Sequence, residues 1–385
     1  MIRYISIFCT KIRFLLIAVQ LIGLIHLADA QKGIRYASVN RIMSRIPDSL
    51  TCSTREIADY IRSNFSTQKE MSRAVFIWIA RNIKYNFDSI LTNKYYETPT
   101  EVSDRILRTR TGVCLNYACL FNELSIKAGI KSYVIQGFTK QGFRVDFLPH
   151  VWCAGFIDST WYLFDPTWGS GYVEKGKFVN QVNNFYFMTP PEDMIRSHMP
   201  FDPLWQFLYY PITQKEFRKG KVRIDTNKPF FNYPDTLYNY MHASELDRAV
   251  SSARRIEQSG AENNFIAAKL RILKGEIDYL RNASAAEKYG SAVTSYNEGI
   301  SKLNRFIAHR NIQFGSEIDS VQMIQILDST EYCLTMASKA LTDIEAPDKS
   351  ISWSIDELQH AIDGTIEALC EQRAYLYSYL RNRKQ

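Results

Sequence analysis

"HVWCAGFIDSTWYLFDPTW", residues 150–168, reads as two strands joined at Asp158-Ser159. Small, apolar and aromatic residues fill both halves, a composition that suits a pleated and partly buried surface. With a two-residue turn, Ile157 lies opposite Thr160 and Trp152 opposite Asp165. His150, Trp152 and Asp165 then share one face. Asp165 becomes the diagonal neighbour of His150, about 7–8 Å away between backbones and within side-chain reach. A three-residue turn would carry Asp165 to the other face. The register therefore decides what this hairpin can do.

Further strands are expected on either side of it, at "SYVIQGF" (132–138) and "NNFYFM" (183–188). The stretch 189–217, rich in proline and aromatics, is expected to wrap this core and includes His198. Upstream the signals are helical. A polar lead-in over 31–50 precedes helix signals near Thr54. Thr67-x-x-Glu70 forms a capping box, and Met71, Ala74, Val75, Trp78 and Ile79 follow at helical spacing as one apolar face. "KYNFDSILTNKYYETP" (84–99) reads as an aromatic loop in which Pro99 forbids regular helix.

A third helix is expected from Cys114 to Gly129, with Tyr117, Leu120, Phe121, Leu124 and Ala128 as its buried stripe. Cys114 lies on that stripe in the first turn. Cys119 is roughly 140° around the helix, so the two cysteines do not face one another. Helices followed by strands, with no βαβ alternation, make this an α+β fold with a small antiparallel sheet.

After about residue 230 the strand signals stop. Helices are expected over 236–258, 262–281, 285–311, 317–344 and 355–382, the last with a capping box at Ser354-x-x-Glu357. No repeat period near 34 residues is found. The chain thus divides into residues 31–230, a thiol domain with its wrapping segment, and 231–385, an all-α, bundle-like domain.

Residues 1–30 are read as a secretory signal peptide. Arg3, Lys11 and Arg13 precede a 14-residue apolar stretch, and Ala28-Asp29-Ala30 closes it. That stretch is short for a bilayer span of ~20 residues. Cleavage after Ala30 gives a secreted or periplasmic protein with no integral membrane span, its 44 basic and 39 acidic residues leaving a net charge of +5. The basic residues are scattered, which argues against nucleic acid as a partner. Six cysteines remain, at 52, 114, 119, 153, 333 and 370. They are irregularly spaced and without a CxxC, so no metal or dithiol site is expected.

Thiol catalysis needs a cysteine where negative charge is favoured, an imidazole, and a group to orient that imidazole. Cys114 is expected at a helix N-terminus, where free N–H groups and the macrodipole favour an anion. Its amide would supply half of an oxyanion hole. Of the five remaining histidines, only His150 opens an apolar strand. Asp165 is the group across the hairpin. Trp152, Trp168 and Tyr85 are candidates to line a substrate groove.

The blocks "FIWIARNIKYN", "TRTGVCLNYACLFNELSIKAGI", "HVWCAGFIDSTWYLFDPTWGSG" and "NNFYFMTPPEDMIRSHMP" resemble the transglutaminase-like superfamily, nearest its kyphoscoliosis-peptidase-like branch. The resemblance spans roughly residues 55–215. It implies a papain-like core, with a nucleophile at a helix start packed against an antiparallel sheet that bears His and Asp. It also implies a Cys114–His150–Asp165 triad. The family commonly has Asn after its His-x-Trp, where this chain has Cys153; by alternation Cys153 points away from the triad face. The resemblance does not extend to the helical region, which is a candidate for docking a protein partner.

The expected activity is hydrolysis of a peptide or amide through a Cys114 thioester, without cofactor or metal. The substrate would be a protein, a peptide or a cell-wall peptide. Amine transfer, as in protein cross-linking, is the alternative enzyme reading. A non-catalytic peptide or cell-wall binding module on the same fold is the alternative outside enzymes.

Overall fold

A computed structural model describes residues 31, 34–86, 98–142, 144–260, 264–314, 318–345 and 349–382. The expected leader at 1–30 lies outside these residues. Two compact units emerge among them, one of the described residues up to 242 and of 252–270, the other of 243–251 and the described residues from 271 on.

The first unit is built around a buried helix. Helix α1 (Ala37–Met43) occupies the stretch expected to be a polar lead-in, because Val39 and Met43 bury in the core. Helix α2 (Thr54–Asn64) starts on the Ser53 hydroxyl, which accepts the Glu56 N–H at 3.2 Å. Helix α3 (Gln68–Asn82) opens on the expected capping box: the Thr67 hydroxyl accepts the Glu70 N–H at 3.2 Å, and the Glu70 carboxylate accepts the Thr67 N–H at 3.4 Å. Burial runs continuously over Ser72–Ala80, so α3 is wrapped on all sides rather than along one face. Arg73 tolerates this because its guanidinium lies 4.9 Å from the Phe187 ring and donates from Nε to Asn40.

Pro99 departs from expectation. It takes the first position of helix α4 (Pro99–Thr109), where a missing N–H costs nothing, behind a Thr98–Glu101 capping box. Strands β1 (Lys84–Tyr85) and β2 (Thr111–Gly112) pair in parallel, with Tyr85 opposite Gly112. Helix α5 (Cys114–Lys127) follows directly. A Cβ on Gly112 would lie 2.7 Å from the Asn116 Cβ, so glycine there permits close packing against the first turn of α5.

Next come strands β3 (Lys131–Gln141), β4 (Arg144–Ile157) and β5 (Thr160–Phe164), then a separate hairpin of β6 (Gly171–Glu174) and β7 (Lys177–Asn180), then β8 (His198–Pro200). The main sheet has the order β5-β4-β3-β8 and is antiparallel throughout. Ile157 pairs with Thr160 and Cys153 with Phe164. Asp158 and Ser159 have φ of 48° and 63°, the left-handed pair that a two-residue hairpin turn requires.

One face of the sheet packs Cys153, Ile157 and Phe164 against the helices, with the Phe121 and Phe164 rings 4.9 Å apart. The other face, with Ile135, Trp152, Ala154 and Leu163, is covered by Met194, Leu204, Phe207 and Leu237. The wrapping segment therefore closes a second core layer and also supplies strand β8.

The expected strand at 183–188 is instead a 3-10 turn, Asn184–Tyr186. The Asn183 side chain accepts the Phe185 N–H at 3.0 Å and draws the backbone into that turn. The segment still bonds β5, through Leu163 and Thr189, and its Tyr186 carbonyl accepts the Asp165 N–H at 3.0 Å.

Helices α6 (Tyr233–His242), α7 (Glu245–Ser259), α8 (Asn264–Asn311), α9 (Ser320–Thr342) and α10 (Lys349–Asn382) complete the chain. The stretch expected as one helix over 236–258 breaks at Ser244, whose hydroxyl accepts the Asp247 N–H at 3.0 Å and caps α7. The break expected at 282–284 and the helix start expected at the Ser354 capping box do not occur, and both positions lie inside long helices. In the second unit Leu303, Phe306 and Phe314 share a core with Leu327 and Leu334 of α9 and with Ile362, Leu369 and Leu376 of α10.

Candidate active site

Cys114 occupies the first position of α5, half-buried. Its N–H has no intrahelical carbonyl to bond, by its place in the helix. The preceding amide differs: the Val113 N–H donates to the Asn116 side-chain oxygen at 2.9 Å, which fixes the entry into the helix.

His150 lies on the part of β4 that has run past the end of β5, opposite Gly137 of β3. Asp165 is the first residue after β5. The two-residue turn brings them together, and His150 Nε2 is 2.7 Å from Asp165 Oδ2. The Cys114 sulfur lies close enough to the imidazole to favour its charged form. Since Nε2 is engaged by the carboxylate, Nδ1 is the nitrogen left for sulfur. The structure thus brings together the three residues that the sequence singled out.

Asp165 is completely buried, yet all its acceptor positions are used. Its Oδ1 accepts the N–H groups of Thr167 at 2.8 Å and Trp168 at 2.9 Å. Its Oδ2 accepts from His150 and from a second imidazole, His198 Nε2, at 3.0 Å. Burial alone would raise the carboxyl pKa. The two imidazoles outweigh it and hold the group well below the ordinary carboxylate range.

Burial likewise disfavours a charged His150, but Asp165, with a contribution from Cys114, pushes it up to about 10. For His198 burial wins, and its pKa is lowered. The carboxylate therefore faces one charge-bearing ring and one neutral ring.

His198 is the residue that sequence reasoning passed over. It arrives on β8, at the edge of the sheet farthest from β5, and nothing in "RSHMPFDP" marks a strand. His150, Asp165 and His198 offer ligand atoms within 4.8 Å of one another, as a metal site would. However, contacts of 2.7 and 3.0 Å are hydrogen-bond lengths. Ligands sharing a tetrahedral zinc would stand apart by ~3.3 Å, given metal–ligand bonds of about 2.0–2.1 Å. Protons satisfy this cluster as it stands.

The groove candidates separate. Trp152 was expected as a groove residue, but it is 1 % exposed. Its ring stacks with His150, 6.1 Å between centroids, and meets His198 edge-on at 5.1 Å, so it backs both imidazoles from inside. It fits there because Gly137 has no side chain; a Cβ would lie 2.5 Å from the Trp152 ring and 2.1 Å from the Met199 carbonyl. Trp168 is half-buried and covers His150 from another side at 5.5 Å. Tyr85 is half-buried opposite Gly112, and burial, with Cys114 and Asp165 nearby, pushes its phenol up to about 12. Tyr85 is placed near the thiol and Trp168 beside the imidazole. Tyr95 and Tyr96, in the stretch expected as an aromatic loop, lie outside the described residues.

The other cysteines differ from Cys114. Cys153 is buried on the helix-facing side of the sheet and contacts the Ala118 carbonyl at 3.4 Å. Burial, reinforced by Glu123, pushes Cys119 up to about 11. Both pack; neither reaches the imidazole through any described contact. All six cysteines among the described residues are free thiols.

Residues 41–166 match the transglutaminase-like superfamily model. The kyphoscoliosis peptidase of Homo sapiens is 33 % identical over 175 residues, covering 43 % of this chain and 26 % of that protein. The Lim and transglutaminase domain protein ltd-1 of Caenorhabditis elegans is 24 % identical over 237 residues, covering 55 % of this chain and 31 % of that protein. Among solved structures, the periplasmic domain of TgpA from Pseudomonas aeruginosa is similar, at 22 % identity and a TM-score of 0.25, over 30 % of this chain and 42 % of that one. The chain spans about a quarter of the length of the kyphoscoliosis peptidases it matches. The matched segment contains Cys114, His150 and Asp165 and ends before His198.

Proposed function

We propose that this transglutaminase-like domain is an exported thiol hydrolase, acting on peptide or amide bonds through a thioester at Cys114. The observation that carries this reading is one chain of contacts. A thiol at a helix start lies beside an imidazole, whose Nε2 meets a buried carboxylate at 2.7 Å. That is the nucleophile, base and orienting group of acyl transfer.

In the first half-reaction the Cys114 sulfur attacks the carbonyl carbon as a thiolate, its proton already carried by the charged His150. The Cys114 N–H is placed to bond the oxyanion. The C–N bond breaks, His150 gives its proton to the leaving amine, and the thioester remains. Water then attacks the thioester, His150 takes a proton from it, and the acid departs as the sulfur leaves as a thiolate beside the charged ring. Asp165 keeps the ring oriented and balances its charge at each stage. Trp168 and Tyr85 line the approach to the sulfur. No step needs a cofactor or metal.

Export follows the reading of residues 1–30 as a leader. Outside the cell, water is the abundant acceptor, which favours hydrolysis, and a protein, peptide or cell-wall peptide becomes the substrate class. The name peptidase carried by the human relative is consistent with this choice. The superfamily match keeps an amine as the alternative acceptor, giving cross-linking in place of cleavage. The helical region is a candidate for binding a protein partner.

A screen of peptide and acyl donors, with and without an amine acceptor, tests the proposal against Cys114→Ala. Turnover by the unsubstituted protein alone is expected, with product acids dominating in water. Equal behaviour of the two proteins across all donors would turn the reading to a non-catalytic binding module.

A further inference from the structure

We infer that His198 is a positioning residue, holding Asp165 through a second ring-to-carboxylate hydrogen bond in the orientation that aligns His150 with Cys114. This inference rests on the thiol reading above.

The need for such an anchor follows from how the carboxylate is held. Its Oδ1 is fixed by two amides of its own turn, Thr167 and Trp168. Its Oδ2 faces His150, the ring that must gain and lose a proton. Without His198, that oxygen would be held only by the ring it is meant to orient. His198 reaches the same oxygen at 3.0 Å from β8, an independent element at the far edge of the sheet.

The anchor itself is fixed in three ways. Ser197 Oγ lies 2.8 Å from His198 Nδ1. A neutral imidazole there accepts the hydroxyl proton, and its own proton sits on Nε2, pointing at Asp165. Rings crowd His198, with centroids at 4.8 Å for Trp168, 5.1 Å for Trp152 and 5.8 Å for Tyr186. Strand β8 is locked to β3 by the Lys140 N–H donating to the Ser197 carbonyl at 2.9 Å and the Phe201 N–H to the Gln136 carbonyl at 3.0 Å.

Two donors on one oxygen have a further consequence. The bond from His198 draws on the same lone-pair density that attracts the His150 proton. It moderates the hold of Asp165 on that proton, which His150 must surrender to the leaving amine.

The test compares His198→Leu, which removes the donor, with His198→Gln, whose amide nitrogen can replace Nε2. His150→Ala is the control for the thiol reading. The readouts are the rate at which Cys114 is alkylated by iodoacetamide at pH 7, the melting temperature, and the ring ¹⁵N shifts of His198 in the unsubstituted protein. The leucine variant is expected to slow Cys114 alkylation roughly tenfold, the scale seen when an outer partner of an oriented imidazole is lost. The glutamine variant should restore most of the rate, and the shifts should report a neutral Nε2–H ring. A purely structural role would lower rate and melting temperature together in both variants. If His198→Leu does not fold, Ser197→Ala serves, since it frees the other tautomer and should slow alkylation. A slow His150→Ala beside a leucine variant with the native rate overturns the inference alone, as does an Nδ1–H ring. A native rate in His150→Ala overturns the thiol reading as well.

Discussion

At the scale of single residues, the site depends on how charge is placed rather than on how open it is. His150 is held up to about 10 against its burial, chiefly by Asp165. A group raised in this way stabilises the fold fully below its unfolded value near 6.5 and loses that contribution as pH climbs through the folded value. The melting temperature is therefore expected to fall between pH 7 and 10. Asp165→Asn should flatten that fall, because Asn cannot favour a charged ring; equal slopes in the two proteins would contradict the assignment. Asp165 acts in the opposite direction. Its lowered pKa stabilises the fold above about pH 4 and is lost in stronger acid. Cys114, His150 and Asp165 were legible in the sequence because a helix start and a two-residue turn are local signals. His198 was not, since its role depends on pairing between strands some sixty residues apart, which no short pattern encodes.

Among the elements, two joints set the geometry. The turn at Asp158-Ser159 keeps Asp165 on the His150 face, and Ser159 sits there at φ 63°, where an L side chain is strained. Ser159→Gly should stabilise the protein by about 1 kcal/mol, read as a rise in the urea midpoint with an unchanged slope. Asp158 is left alone in this test because its carboxylate pairs with Lys69 at 2.6 Å. The second joint is Gly137, where β4, β3 and β8 meet. Gly137→Ala pushes a methyl against the Met199 carbonyl and the Trp152 ring. It should cost about 1–3 kcal/mol as overpacking and slow Cys114 alkylation, by displacing β8 and with it His198. The sequence located the turn at Asp158-Ser159 but left its length, and with it the register, open. The short β8, the β6–β7 hairpin and α4 could not be read from it. Three residues are too few to show a period, and Pro99 is a breaker inside a helix but a good first residue.

For the whole molecule, composition located the change from mixed to helical structure, but not where the first unit ends. The sequence places a boundary at 230/231, whereas the first unit keeps residues 231–242 and 252–270. Leu237 buries beside Phe207 and Trp205, and Arg255 grips the buried Asp202 carboxylate with two bonds of 2.8 and 2.7 Å. Helical periodicity cannot tell which domain a helix packs on. A fragment of residues 31–270 is expected to be soluble and to melt in one cooperative transition. One of residues 31–230 should melt lower or aggregate, since it exposes that apolar face and strands Asp202. Equal melting temperatures for the two fragments would show that these helices add nothing to the domain.

The central claim is that Cys114 is a nucleophile, and accessibility opposes it. Cys52 and Cys370 are exposed while Cys114 is half-buried. The decisive measurement is the rate of iodoacetamide labelling at each cysteine of the native protein at pH 7, followed by peptide mass spectrometry. If the imidazole and helix start activate the sulfur, Cys114 labels about tenfold or more faster than Cys52 and Cys370. If labelling follows exposure, with Cys52 and Cys370 ahead of Cys114, the thiol is not activated and the account is contradicted.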